Sequence, residues 1–167
     1  MKELIQLEKI RSIVDEMAQM DLSDVNRTMD DIARYQPFLI SLSMGDRLDL
    51  KPEEWNEMVM IYILIWGYFK DNKDLRKKKL SKELFQKKQD KNIKFLQYLS
   101  KEDDTNEILK VTHLDLDNMQ AKYLFSYIST QFEEKQVLQE MDPQARGICL
   151  IGVKSIIEGF EELIEES

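Results

Sequence analysis

The sequence predicts an all-α protein, a compact bundle of about seven to nine helices around one central apolar helix. Two observations support this prediction. The 167 residues include only five glycines and three prolines, whereas sheet-rich and nucleotide-binding folds use many of both in turns and phosphate loops. Apolar residues also recur at steps of three and four along most of the chain, which is the helical period.

The prolines mark helix starts. Pro52 is followed by two glutamates, Pro143 follows Asp142, and Pro37 precedes an apolar run. Proline at the first helical position, with acidic residues nearby, is typical of a helix N-terminus. Gly45 is placed like a helix stop. The predicted helices cover residues 3–20, 23–35, 37–44, 52–71, 75–89, 92–101, 105–112, 117–140 and 143–165.

Residues 58–69 form the longest uncharged run and are apolar nearly all round. A helix without a polar face must be surrounded by other elements, so this segment is predicted to be the central helix. Its twelve residues fall short of the roughly 20 that a membrane span needs.

The chain is predicted to be one domain, residues 1–167, with a repeat as an open question. Two short strings recur in the same order, each followed by a helical pattern: residues 38–43 and 48–50 resemble residues 95–100 and 114–116. The similarity is either chance or the trace of two related halves, 1–86 and 92–167. The polar run 86–92 is then either their boundary or an exposed stretch of one continuous helix.

Charge is distributed unevenly along the sequence. Residues 70–94 hold eleven Lys or Arg and four acidic residues, a local charge of +7, so the remaining 142 residues carry −15 of the total −8. Such a block could bind phosphate backbones or an anionic membrane surface. It could also be a solvated helix face, or it could face the acidic C-terminal helix of its own or another copy. The last two alternatives are favoured. The lysines that would interact are Lys77, Lys78, Lys79, Lys82, Lys87, Lys88 and Lys91.

Small residues on the last helix form a second candidate for association. Gly152, Ser155 and Gly159 lie on one helical face, where they would let another helix approach closely. The first helix offers a third candidate, an apolar seam. It consists of Leu7, Ile10, Val14 and Met17. Packing within the chain is the favoured interpretation of both.

No catalytic, cofactor or metal site is predicted. The chain has one histidine and one cysteine. His113, Asp115 and Asp117 lie in a predicted connector, 111–117, where capping of the next helix is favoured over metal binding. Cys149 lies on the apolar stripe of the last helix, and a buried, inert thiol is expected.

These observations favour a non-enzymatic, acidic, helical interaction or structural protein that binds another protein or itself, including as a homodimer. The alternative is a nucleic-acid-binding protein that uses residues 70–94, and an enzyme of unrecognised type ranks third. A single cysteine excludes an internal disulfide, and the first residues show no signal segment. A cytoplasmic location is therefore expected.

Overall fold

The computed structural model describes residues 1–166 and is 81% helical. Within this range there are nine helices and no strand, which confirms the all-α prediction. The helices are α1 (Lys2–Ala18), α2 (Leu22–Tyr35), α3 (Pro37–Asp49), α4 (Pro52–Phe69), α5 (Lys82–Lys101), α6 (Thr105–Asp117), α7 (Lys122–Glu134), α8 (Gln136–Gln139) and α9 (Pro143–Glu165).

The apolar helix α4 lies at the centre of the bundle, as predicted. Helices α1, α2, α3 and α8 pack directly against it. From Ile61 to Trp66 every residue is buried, because neighbours cover α4 on all sides. The polar atoms of two buried aromatic residues of α4 have partners. Tyr62 donates to the Asp46 carboxylate, and Trp66 Nε1 donates to Asp31 Oδ2 at 2.8 Å.

Prolines start three helices at the predicted places, but Gly45 does not stop α3. The helix continues through Gly45 to Asp49, and no glycine in the described range has a positive φ. A Cβ at Gly45 would meet nothing within 4 Å. The position is therefore an ordinary solvent-side helical residue.

The largest difference from the predicted elements lies in residues 70–81, which are not helical. Helix α5 begins only at Lys82, where the Ser81 side chain caps it, and runs without a break to Lys101. The predicted helices 75–89 and 92–101 are therefore wrong as separate elements. The polar run 86–92 lies inside α5, so it is a stretch of one continuous helix; the division into related halves stays a prediction.

Two boundaries in the second half also differ. Residues 111–117 are helical and belong to α6, so the predicted connector there is wrong. The predicted helix 117–140 is broken into α7 and α8. The break before α7 has a tertiary cause: the Glu161 carboxylate accepts the Ala121 N–H at 2.7 Å from outside the helix. Among the residues described, no helix combines the length and apolarity that crossing a membrane requires.

Candidate functional site: a cleft between α1 and α2

A cleft of about 810 Å³ opens between α1 and α2, with α4 as its floor. The two helices follow one another through the turn at residues 19–21 and both pack on α4. Residues 9–20 form one wall and residues 27–34 the other. The longer wall rises about 17 Å, or three helical turns, and the shorter wall about two turns.

The floor of the cleft is apolar and closed. Ile63, Trp66 and Gly67 of α4 lie there beside Ile13 and Met17 of α1. A Cβ at Gly67 would come within 2.9 Å of Ile13 Cγ2, so glycine allows α1 to approach α4 here. Ile63 and Trp66 are almost completely buried. The cleft therefore ends on a filled layer of the core.

The indole in this floor is held by polar and aromatic contacts. Besides its hydrogen bond to Asp31, Trp66 stacks on Tyr35 with ring centroids 6.0 Å apart. Tyr35 makes a second contact: the Arg76 guanidinium lies 5.0 Å from the centre of its ring. Contacts thus connect the cleft floor to the non-helical segment 70–81.

The rim of the cleft carries both signs of charge in equal number. The side chains are Lys9, Arg27, Arg34, Lys70, Glu16, Asp30, Asp31 and Asp71. Three are already engaged: Asp31 holds the indole, the Lys9 ammonium lies 4.7 Å from the Tyr68 ring centre, and Arg27 lies 3.6 Å from Asp24. The others are available to an occupant with charges of both signs.

Three of the candidate lysines lie instead in an antiparallel seam between α5 and α9. Lys87 and Lys88 contact the Glu162 carboxylate at 3.3 and 2.5 Å, and Lys91 contacts Glu158 at 2.8 Å. This part of the basic block faces the acidic C-terminal helix of its own chain. Lys88, and to a smaller extent Lys87, lower the pKa of Glu162.

A buried polar network lies beneath these ion pairs. Lys154 Nζ is 2.9 Å from both Glu158 and Asp115, and it donates to Asn92 Oδ1 at 2.6 Å. Asn92 in turn donates to Glu158 and to the Ser155 hydroxyl. Burial disfavours ionisation of Glu158, but the hydrogen bonds from Lys91 and Lys154 outweigh it and lower the pKa. The network joins α5, α6 and α9.

The other four candidate lysines lie in or beside the segment 70–81, here called the lysine loop. Lys77, Lys79 and Lys82 are exposed. Lys78 is half-buried and donates to the Leu163 carbonyl at 3.2 Å, in the last turn of α9, where a cation is favoured. Lys78 therefore helps to hold the lysine loop against α9.

A buried glutamine determines the shape of the lysine loop. Gln36 has no exposed surface, and its amide donates to the carbonyls of Leu75 and Lys78 at 2.6 and 2.9 Å. Its carbonyl accepts the Leu80 N–H at 2.9 Å. Because buried backbone groups must find partners, these three bonds take the place of helical bonds in residues 75–81, the part of the predicted helix 75–89 that is not helical.

The small residues of α9 serve contacts within the chain. A Cβ at Gly159 would lie 2.6 Å from Leu80 Cδ1, so this glycine makes room for the lysine loop. Ser155 belongs to the polar network. At Gly152 a Cβ would meet nothing within 4 Å. Most of the apolar seam of α1 faces inward: Ile10 is buried, and Val14 and Met17 pack against the core, but Leu7 is exposed.

The two aspartates of the predicted connector are paired, His113 is exposed, and the cysteine is buried. Asp115 pairs with Lys154, Asp117 pairs with Lys122 at 2.8 Å, and neither caps α7, contrary to the prediction. No group of three potential metal ligands occurs within residues 1–166. Cys149 is buried as predicted, and burial raises the pKa of its thiol to about 12.

Sequence reasoning missed the cleft because an open space leaves no pattern in one helix. A weaker signal was present for the polar network and the loop contact. Asn92 and Lys154 lie among apolar residues at helical spacing, and Gln36 immediately precedes a proline helix start. Polar residues at core positions need partners, so their burial indicates tertiary hydrogen bonds.

Comparison of the chain with protein-family models, with curated proteins and with solved structures found no match.

Proposed function

We propose that this protein is a non-enzymatic helical interaction module whose cleft between α1 and α2 receives an amphipathic helix of a partner protein. The observation on which the proposal rests is the combination of an apolar floor with a rim of both charges along about three helical turns. An amphipathic helix presents the complementary arrangement, an apolar stripe with charges on either side.

The floor suits a helix better than a small ligand. Ligand pockets enclose most of their ligand and aim a few polar groups at it. Here the indole N–H in the floor is already bonded to Asp31, and the space is an open trough between two helices. Met17 and Met20 line it, and methionine adapts its shape to varied apolar partners.

The titratable groups with shifted pKa values support a non-enzymatic role. Burial raises the pKa values of Asp46 and Tyr62, which bond to each other, and of Cys149. Glu158 and Glu162 are paired with lysines. None of these five groups is among the residues that line the cleft. The cytoplasmic location stays a prediction.

The proposal is tested with a variant that closes the cleft. Ser12→Arg/Asp30→Arg places two long, charged side chains on opposite walls. Asp15→Arg/Ser41→Arg makes the same exchanges at exposed positions outside the cleft and is the matched control. Each protein is used to capture partners from the source cells, and bound proteins are identified by mass spectrometry.

We expect a partner that binds the wild type and the control but is lost by the cleft variant. A synthetic helix from that partner should then shift the NMR amide signals of the residues in α1, α2 and α4 that line the cleft. Equal capture by all three proteins contradicts the proposal. Sedimentation of the wild type and the cleft variant shows whether the partner is a second copy of this chain.

The alternative, nucleic-acid binding through residues 70–94, has less support. Lys87, Lys88 and Lys91 are paired with glutamates of α9, so a phosphate backbone would have to displace existing ion pairs. A salt-dependent gel shift with the wild type tests this alternative.

A further inference from the structure

Positive charge is concentrated in the lysine loop and the first residue of α5. Residues 70–82 contain seven Lys or Arg and two acidic residues, a local charge of +5. Lys73, Lys77, Lys79 and Lys82 are exposed. None of these four forms an ion pair with the other residues that the structure describes. The charge on these four side chains therefore faces solvent.

The loop is also held in one shape. Leu75 and Leu80 are buried in the core, and Gln36 bonds to the backbone between them. The Asp74 carbonyl accepts the N–H groups of both Lys77 and Lys78. A long loop without secondary structure in a small domain is usually functional. A rigid loop binds at lower entropic cost than a flexible one.

We infer that the lysine loop binds an acidic peptide segment, whose carboxylates contact Lys73, Lys77, Lys79 and Lys82. This site is separate from the floor of the cleft, although Lys70 belongs to both the loop and the cleft rim. A partner helix in the cleft could therefore continue as an acidic segment along the loop. The two sites are tested by different variants.

The charge around the loop favours a short peptide over nucleic acid. Because the chain carries −8 in total, the residues outside 70–82 carry −13. A duplex presents one charge per about 1.7 Å along its axis and would extend over these acidic surfaces. A peptide with a few carboxylates can be confined to the positive loop.

The experiment measures fluorescence anisotropy of a labelled dodecapeptide of alternating Glu and Ser, with the corresponding Gln–Ser peptide as the uncharged control. The test variant reverses the four exposed lysines: Lys73→Glu, Lys77→Glu, Lys79→Glu and Lys82→Glu. The matched variant makes the same change in net charge at four exposed lysines elsewhere: Lys2→Glu, Lys94→Glu, Lys101→Glu and Lys110→Glu. Lys78 is left unchanged because it contacts α9. Circular dichroism melts confirm that both variants are folded.

We expect the acidic peptide to bind the wild type with an affinity that falls as salt is added. The loop variant should bind the peptide at least about tenfold more weakly. The matched variant should lose no more than about threefold. Absence of binding to the wild type, or equal loss in both variants, overturns the inference. Tighter binding of a generic single-stranded RNA than of the peptide overturns it in favour of nucleic acid. If the cleft variant described above still captures its partners, the proposed function is contradicted, but the result of this peptide experiment is unaffected.

Discussion

The α5–α9 seam and the α1–α2 cleft are both lined by charged side chains above apolar ones, but the seam is closed and the cleft is open. In the seam, lysines of α5 meet glutamates of α9 one helical turn apart. In the cleft, eight charges of the rim surround about 810 Å³ of open space. Matched charges from two elements of one chain close the seam. Among the described residues no ion pair joins the two walls of the cleft, which leaves the cleft available to another molecule.

The two regions also differ in how their helices are packed. Eleven of the 23 residues of α9 are buried, but only Ile10 of the 17 residues of α1 is. A second cavity of about 230 Å³ lies between α1 and helices α4, α7 and α8. Helix α1 is therefore the more weakly attached of the two, which is what a wall that adjusts to a partner requires.

The largest expected effect comes from the closed layer under the cleft. Trp66→Ala should destabilise the protein by about 3–5 kcal/mol, because it empties a large buried aromatic site. Trp55→Ala, at a half-buried position of the same helix, should cost clearly less. Urea melts measure both. A loss below 1 kcal/mol for Trp66→Ala would show that the indole belongs to the open surface rather than to the core.

The next effect tests the closed seam. Lys154→Met should destabilise the protein by about 3 kcal/mol, because it removes the cation that Asp115 and Glu158 share in a buried network. Lys110→Met, an exposed exchange on α6, should stay within about 0.5 kcal/mol. Equal urea midpoints for the two variants would mean that the network contributes nothing to closing the seam.

A smaller effect depends on pH. Burial raises the pKa of Glu161 from 4.5 to about 6, although the Ala121 N–H bond opposes the shift. Because the folded pKa lies above the unfolded one, this group stabilises the fold below pH 4.5 and the contribution is lost as pH rises through 6.

The free energy of unfolding of Glu161→Gln should therefore match that of the wild type near pH 4.5 and exceed it by up to about 2 kcal/mol above pH 6.5. The amide keeps an oxygen that can accept the Ala121 N–H. Urea melts of both proteins from pH 4.5 to 7.5 measure the difference. A constant difference across this range contradicts the assignment. The lowered pKa of Glu158 acts in the opposite direction in both proteins.

The smallest effect contrasts two glycines of α9. Gly152→Ala should stabilise the protein by up to about 1 kcal/mol, because alanine is the better helix former and nothing obstructs its methyl group. Gly159→Ala should destabilise it by about 1 kcal/mol, because overpacking against Leu80 exceeds the gain in helix propensity. Thermal melts in which both variants shift in the same direction would show that Leu80 yields freely.

Helix content and the central helix followed from the sequence because both depend on local periodicity. The proline starts at residues 37, 52 and 143 were found for the same reason. The basic block and the acidic C-terminal helix were also visible as composition. Part of their pairing was anticipated, since opposite charges in such excess are expected to meet.

The helix boundaries at 75–89 and 117–140 could not be predicted, because remote side chains decide them. Gln36 occupies the backbone groups of the lysine loop, and Glu161 occupies the N–H of Ala121. In the sequence, Gln36 is marked only by the proline that follows it, and Glu161 is one of several glutamates near the C-terminus. The partner of each lies about 40 residues away, and nothing in the local pattern names it.

The sequence by itself determined that the chain is helical, that residues 58–69 lie at its centre and that Cys149 is buried, because hydrophobic period and backbone preference act within a few residues. Only the tertiary structure decided which lysines are paired, that residues 70–81 are not helical and that α1 and α2 leave a cleft between them. These properties depend on the distances between elements far apart in the chain, and those distances are set by close contacts such as those of Gly67 with Ile13 and of Gly159 with Leu80.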